Sequence, residues 1–172
     1  MKGLILFACL LVITRADAQG SCVLLDEGWN FRQVGTQRWY SAKVPGVVHT
    51  DLLRHGLIPD PYVDFNADSV QWIENADWVY TRTITVDRAL LRNEHIDLVF
   101  RGLDTFAEVY LNDELLGEAD NMFRTWEWPI RKKLRRGANE LKVVFHSSIA
   151  EGKKLRNASS LQLPHENDPS GE

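Results

Sequence analysis

Hydrophobic and polar residues alternate with a period of two along several short stretches, the pattern of strands with one buried and one solvated face. Ile96, Leu98 and Phe100 alternate with Asp97, Val99 and Arg101, and Ala107, Val109 and Leu111 alternate with Glu108 and Tyr110. Leu141, Val143 and Phe145 alternate with Lys142, Val144 and His146. Asn112-Asp113 reads as a turn into Leu115-Leu116, because both residue types tolerate the backbone of tight turns. Trp78 to Val86 is rich in the aromatic and β-branched residues that strands favour. Phe123 to Ile130 adds another such run, closed by Pro129 and a basic turn at Arg131 to Arg136. Helix signals are fewer. Val48 to Leu53, ended by Gly56 and with Thr50 or Asp51 near its start, predicts a short helix, and Asp87 to Leu91 predicts one turn. About seven or eight strands in roughly 130 residues, separated by turn signals, point to an all-β jelly-roll β-sandwich with one or two short helices.

The two ends of the chain read differently. Lys2 precedes an apolar run from Gly3 to Thr14, and Ala16-Asp17-Ala18 supplies the small-x-small pattern of a cleavage site. Residues 1–18 are therefore expected to be a signal peptide cut before Gln19, because the run is too short to cross about 30 Å of hydrocarbon. Residues 19–147 are expected to form the sandwich. From Ser148 to Glu172 the alternation stops and polar residues, Gly152, Pro164, Pro169 and Gly171 take over, so 148–172 is read as a polar linker or loose tail. The expected product is exported: secreted or periplasmic, or lysosomal in a eukaryote, with no membrane contact once the leader is removed.

Length and charge narrow the function classes. The chain has 172 residues, Lys+Arg 20 against Asp+Glu 24 and a formal net charge of −4. A complete (β/α)₈ barrel takes about 250 residues and does not fit. The acidic balance argues against nucleic acid, whose binding needs clustered Lys and Arg. Cys9 falls in the leader and leaves Cys22 alone, read as a small buried hydrophobe, so neither a disulfide nor a zinc site is expected. The five histidines, 49, 55, 95, 146 and 165, lack metal-ligand spacing and read as exposed or core-satisfied. No Gly-x-Ser-x-Gly elbow or phosphate-cradling glycine loop occurs. Acids such as Asp97, Glu108, Asp113 and Glu114 read as a solvated face, and no pair with glycosidase spacing can be picked out. No catalytic residue, metal or cofactor is assigned. Asn157-Ala158-Ser159 is a glycan acceptor sequon.

The stretch from Trp39 to Trp78 is the most informative. Pro59 and Pro61 stiffen a loop, and the run from Gly56 to Asn75 is long for a structureless connection, a length usually tied to function. Tyr62, Asn66 and Trp72 are the candidate substrate-binding residues, offering aromatic faces to a sugar and an amide to its hydroxyls. The competing reading is that Tyr62 and Trp72 pin this loop onto the sandwich.

Several motifs in order carry a resemblance. These are Gly28-Trp29-Asn30-Phe31, Val44-Pro45-Gly46-Val47-Val48-His49 with Asp51-Leu52, Ile58-Pro59-Asp60-Pro61-Tyr62, and Asp77-Trp78 with Tyr80. Gly102-Leu103-Asp104-Thr105, Val109-Tyr110-Leu111-Asn112 and Asp120-Asn121-Met122-Phe123-Arg124 follow. From about Leu25 to Ser147 the chain resembles the N-terminal domain of β-mannosidases, in the glycoside hydrolase family two group that also holds β-galactosidases and β-glucuronidases. The resemblance implies a galactose-binding-like jelly roll that packs on a catalytic barrel and helps wall the subsite for the terminal sugar. It also implies that the acid/base and nucleophile are glutamates of a barrel outside this sequence, so the chain is expected to be truncated before its catalytic machinery and inactive alone. The implied partners are that barrel and, through the parent enzyme, a β-mannoside oligosaccharide. Val63 and Ala67 depart from the family, which often carries an aromatic and an acid there. A stand-alone carbohydrate-binding module, or the first domain of a β-galactosidase or β-glucuronidase, is the alternative.

Overall fold

The computed structural model describes residues 21–160. The expected signal peptide, Cys9, His165 and the end of the expected tail lie outside the described residues. Eight strands form within it: β1 (Trp29–Gln33), β2 (Tyr40–Ala42), β3 (Trp78–Val86), β4 (Asp97–Phe100), β5 (Ala107–Leu111), β6 (Glu114–Ala119), β7 (Trp126–Pro129) and β8 (Gly137–Phe145). Three helices accompany them: α1 (Val48–Arg54), α2 (Asn66–Ser69) and α3 (Ser148–Ala158), with short 3₁₀ turns at Gln71–Asn75 and Leu90–Arg92. Six strands form one antiparallel sheet in the order β2-β1-β3-β8-β5-β6, and β4 pairs with β7 in a second. The all-β sandwich expected from the alternation is the observed architecture.

β3 and β8 form the spine of the large sheet. They pair along their full length, from Trp78 opposite Phe145 to Val86 opposite Gly137. One face of this sheet carries Trp29, Phe31, Trp78, Val86, Val109, Leu111, Leu141 and Val143, all buried. Its first part packs under the β4–β7 sheet, with Leu98, Leu103 and Ile130 from the covering layer. Its second part packs under α1 and the loop after it, where Leu52, Ile58, Val70 and Ile73 surround Phe31 and Trp78. Tyr80, Ala42 and Phe145 touch both clusters, so the core is continuous. The opposite face carries polar contacts, with buried Val79 as the apolar exception: Thr81 donates to Glu140 at 2.9 Å, and Lys142 lies over the Tyr110 ring. The period-two pattern thus separates these two faces.

Turn chemistry sets the register. Asn112 and Asp113 hold φ of 53° and 65°, the left-handed conformation of a two-residue hairpin between β5 and β6. Buried Asn139 then locks the neighbouring turn: its amide donates to the Arg135 and Gly137 carbonyls, and its Oδ1 accepts from Arg135 N–H at 2.8 Å and from Asn112 at 2.9 Å. α1 ends where Gly56 adopts φ 64°.

Three expectations need correction, while the Gly56–Asn75 run, read as long for a structureless connection, contains α2 and a 3₁₀ turn. The segment after Ser147, read as a loose polar tail, is helical over Ser148–Ala158, because the Ser147 hydroxyl accepts the Ala150 N–H at 3.0 Å and caps the helix. The strand expected over Phe123–Ile130 runs only from Trp126 to Pro129, since Asn121 accepts the Phe123 N–H and folds that end into a turn. Cys22 is exposed rather than buried.

Candidate functional site

The Val44-Pro45-Gly46 turn and α1 are tied to the sheet by one carboxylate. Asp51, from the first turn of α1, is fully buried. It accepts the Lys43 N–H at 3.0 Å and the Tyr80 hydroxyl at 3.4 Å, and pairs with Arg54. Burial, then the charge of Asp51 and the hydrogen bond to it, hold the Tyr80 phenol well above its ordinary range. Asp51, expected with Thr50 near the start of the helix, lies in its first turn and links three elements, while Val47 caps without a side-chain bond. Nearby, His55 is satisfied by the Ser41 carbonyl at 2.8 Å and packs against Tyr40 and Phe31.

α1 leads into the loop that carries two of the candidates. The Asp60 carboxylate accepts the Tyr62 N–H at 2.9 Å, its carbonyl accepts the Val63 N–H at 3.2 Å, and the Asn66 side-chain amide donates to the same carbonyl at 3.0 Å. Asp64 adopts φ 50°, which turns the chain over. The loop is therefore built by its own hydrogen bonds, with Asn66 as a strut. Tyr62 is 98% exposed and Phe65 87%. Tyr62 consequently pins nothing, and the pinning reading is corrected for it. Trp72 behaves differently: 43% exposed, it lies at 6.0 Å from buried Trp78 on the 3₁₀ turn and is fastened to the core edge. Tyr62 and Asn66 are brought together through Asp60, while the ring contact of Trp72 is with the sandwich. Phe65, missed by the sequence reading, shares the loop, and a further exposed aromatic, Phe123, sits at 89% in the turn before β7. The only sequence signal of Phe65 was an aromatic inside a stretch of Pro, Asp and Asn without alternation.

Among the described residues, two of the cavities on the sandwich bear on a site. The first, about 590 Å³, is mainly apolar and lies between the Val44–His49 turn and the Gly102–Asp104 and Met122 loops, over Trp78, Tyr80 and Phe145. Both cis peptide bonds, Val44–Pro45 and Asp104–Thr105, fall on its rim. The second is a wide groove of about 900 Å³ bordered by β5, β6, the turn before β7, and α3. His146 stands in it between two carboxylates, with Nδ1 at 3.1 Å from Asp77 and Nε2 at 3.6 Å from Glu108. Asp77 also accepts the Ser147 N–H at 2.8 Å, so the same carboxylate fixes the start of α3. Glu108, read as solvated, is half-buried; it takes the Tyr110 hydroxyl and holds that phenol above its ordinary range through the hydrogen bond. These acids are engaged in structural contacts. Among the described residues no cluster of His, Cys, Asp and Glu could hold a metal ion, and no helix is long and apolar enough to cross a membrane.

Comparisons with known proteins agree with the architecture. The family model described as glycosyl hydrolase 2 galactose-binding domain-like matches residues 29–172. The chain is 38% identical over 134 residues to the β-mannosidase B of Thermothelomyces thermophilus, covering 76% of this chain and 16% of that protein. It is 35% identical over 163 residues to the mouse β-mannosidase, covering 93% of this chain and 18% of the relative. A crystal structure of a β-D-mannosidase from Dictyoglomus thermophilum superposes with a TM-score of 0.82 at 41% identity, over 84% of this chain and 18% of that one. The chain thus spans under a fifth of the length of each protein.

Proposed function

Because the chain belongs to the glycosyl hydrolase 2 galactose-binding-like domain family, we propose that it serves as the non-catalytic N-terminal domain of an exported β-mannosidase-type glycosidase. The parent reaction is retaining hydrolysis of terminal, non-reducing β-D-mannose. The observation that carries this reading is the 41% identity, over 84% of the chain, to a β-D-mannosidase. On this reading, the loop from Pro59 to Asn66 borders the pocket for the terminal sugar. Tyr62 offers its ring face, and Asn66, whose amide nitrogen is held by the Asp60 carbonyl, keeps Oδ1 to accept a sugar hydroxyl. Retention requires two carboxylates roughly 5–5.5 Å apart on a rigid frame, one as acid/base and one as nucleophile. Asp77 and Glu108 share a groove here but are committed to His146, Ser147 and Tyr110. The bond-breaking pair belongs to a barrel that this chain serves.

Three measurements test the proposal. The purified chain alone releases no mannose from an aryl β-mannoside; turnover by a preparation free of other glycosidases refutes this. Substituted for the corresponding domain of the Dictyoglomus enzyme, the chain supports β-mannosidase activity, and a cooperatively folded but inactive chimera refutes that. Secreted protein beginning at Gln19 supports export; a chain found only inside the cell, with residues 1–18 uncut, refutes it. The full exposure of Tyr62 favours one second reading, a free-standing carbohydrate-binding module, in which calorimetric titration of the chain alone with mannobiose gives saturable heat that Tyr62→Ala abolishes.

A further inference from the structure

The sequence contains a single Asn-x-Ser/Thr acceptor, Asn157-Ala158-Ser159. Asn157 occupies the last turn of α3 and is exposed, Ala158 beside it is exposed, and Ser159 ends the helix in an extended conformation with φ −76° and ψ 133°. Other asparagines are used internally: Asn139 is buried in the turn before β8, and Asn112 bonds to it. α3 is anchored at its beginning, through Ser147 to the Glu74 carbonyl at 2.6 Å and through Asp77, and no residue of the helix is buried. A group added to its last turn therefore displaces nothing from the core.

From this placement we propose that Asn157 carries an N-linked glycan in the exported protein, an inference that rests on the export reading above. The donor is a lipid-pyrophosphate-linked oligosaccharide. Transfer forms a bond from Asn157 Nδ2 to the anomeric carbon of the first N-acetylglucosamine and breaks that carbon's bond to the pyrophosphate oxygen. One amide proton is lost, and the lipid pyrophosphate leaves. Transfer onto the nascent chain precedes formation of the helix, so the helical backbone at Asn157 is no obstacle.

The helix also sets where the glycan sits. Asn157 lies three residues after Lys154 and seven after Ala150, on one stripe of α3, and Ala150 and Lys154 both line the wide groove. The glycan roots at the end of that groove, whose walls of Glu118, Asp120, Arg124 and Glu151 suit a hydroxyl-rich neighbour. The groove side of α3 is then an outward surface of the mature protein.

The test is expression of the full chain in a secreting eukaryotic cell, once with its own leader and once with a heterologous one. A mobility shift that peptide-N-glycosidase removes, leaving Asp at position 157, is the expected result. Asn157→Gln and Ser159→Ala abolish the shift, Ser159→Thr retains it, and all three variants keep the parent melting temperature. Glycosylation under the heterologous leader alone defeats the export reading but upholds the acceptor. A secreted, unmodified chain under the heterologous leader, or a shift that persists in Asn157→Gln, overturns the proposal.

Discussion

Replacing Asp51 by Ala removes the acceptor that joins α1, the Val44-Pro45-Gly46 turn and β3. Its three partners differ in worth. The Arg54 side chain is 42% exposed, so that ion pair contributes about 0–1 kcal/mol after solvent screening. The Lys43 N–H donates to a charged acceptor at 3.0 Å, a bond worth about 1.5–3 kcal/mol. The Tyr80 hydroxyl, 3.4 Å away, loses its partner inside the protein, at the low end of the ~1–3 kcal/mol cost of an unsatisfied polar group. Together these give about 3 kcal/mol, in line with the ~3–5 kcal/mol seen when one member of a buried pair is removed. For a domain of this size each kcal/mol moves the melting temperature by about 2–4 °C. Urea unfolding at pH 7, followed by tryptophan fluorescence, measures the loss. Asp51→Asn keeps an acceptor and the volume and loses about half as much. Arg54→Ala loses under ~1 kcal/mol. An Asp51→Ala loss below ~1 kcal/mol, or an Arg54→Ala loss equal to it, refutes the assignment of the bond energy to Lys43 and Tyr80.

Tyr80 sets an alkaline limit. Its folded-state pKa lies above the unfolded value of about 10, so the folded state holds the proton longer. That stability is fully present below pH 10 and falls above it by up to ~1.4 kcal/mol per pH unit; Tyr80→Phe flattens the slope in denaturant titrations from pH 9 to 11. Gly46→Ala places a Cβ 2.3 Å from the Lys43 carbonyl oxygen, a backbone atom that cannot step aside, and costs about 1–3 kcal/mol by calorimetry. Asn139→Ala orphans the Arg135 N–H and two turn carbonyls and costs about 2–4 kcal/mol, whereas the exposed Asn121 replaced by Ala costs under ~1 kcal/mol.

Residues with a consistent period were legible. Trp78 to Val86 is a strand because its alternate side chains meet a core on one face, and the Asn112-Asp113 turn follows from the left-handed backbone those residues tolerate. α3 was illegible by periodicity, because a helix with no buried residue has no apolar stripe. Its signals were of another kind: Ser147 as cap, Glu151 in the first turn and Arg156 in the last. The Pro59–Asn66 loop was legible as rigid, but its side-chain directions were not. Whether Tyr62 folds inward or outward depends on Asp60 capturing its N–H, a choice that composition does not encode. Asp51 and His146 were missed as linchpins for the same reason, since their partners are distant in sequence.

The exposed loop tip poses an energetic question of its own. Burying a phenylalanine side chain stabilises a fold by about 1.5–3 kcal/mol, yet Phe65 and Tyr62 forgo this. The backbone bonds of Asp60 and the φ of Asp64 fix the loop with both rings outside, so the loop's geometry is held independently of them. Tyr62→Ala with Phe65→Ala is therefore expected to leave the melting temperature within about 2 °C of the parent, because substitutions at fully exposed sites stay within about 0.5 kcal/mol. The same double variant is expected to reduce self-association of the isolated chain in sedimentation velocity, since apolar groups gathered at one tip are covered by contact. A drop of more than about 5 °C would mean that the rings support the loop after all. In that case their exposure would not be available to a sugar or to a neighbouring domain, and the role given to Tyr62 would fall with it.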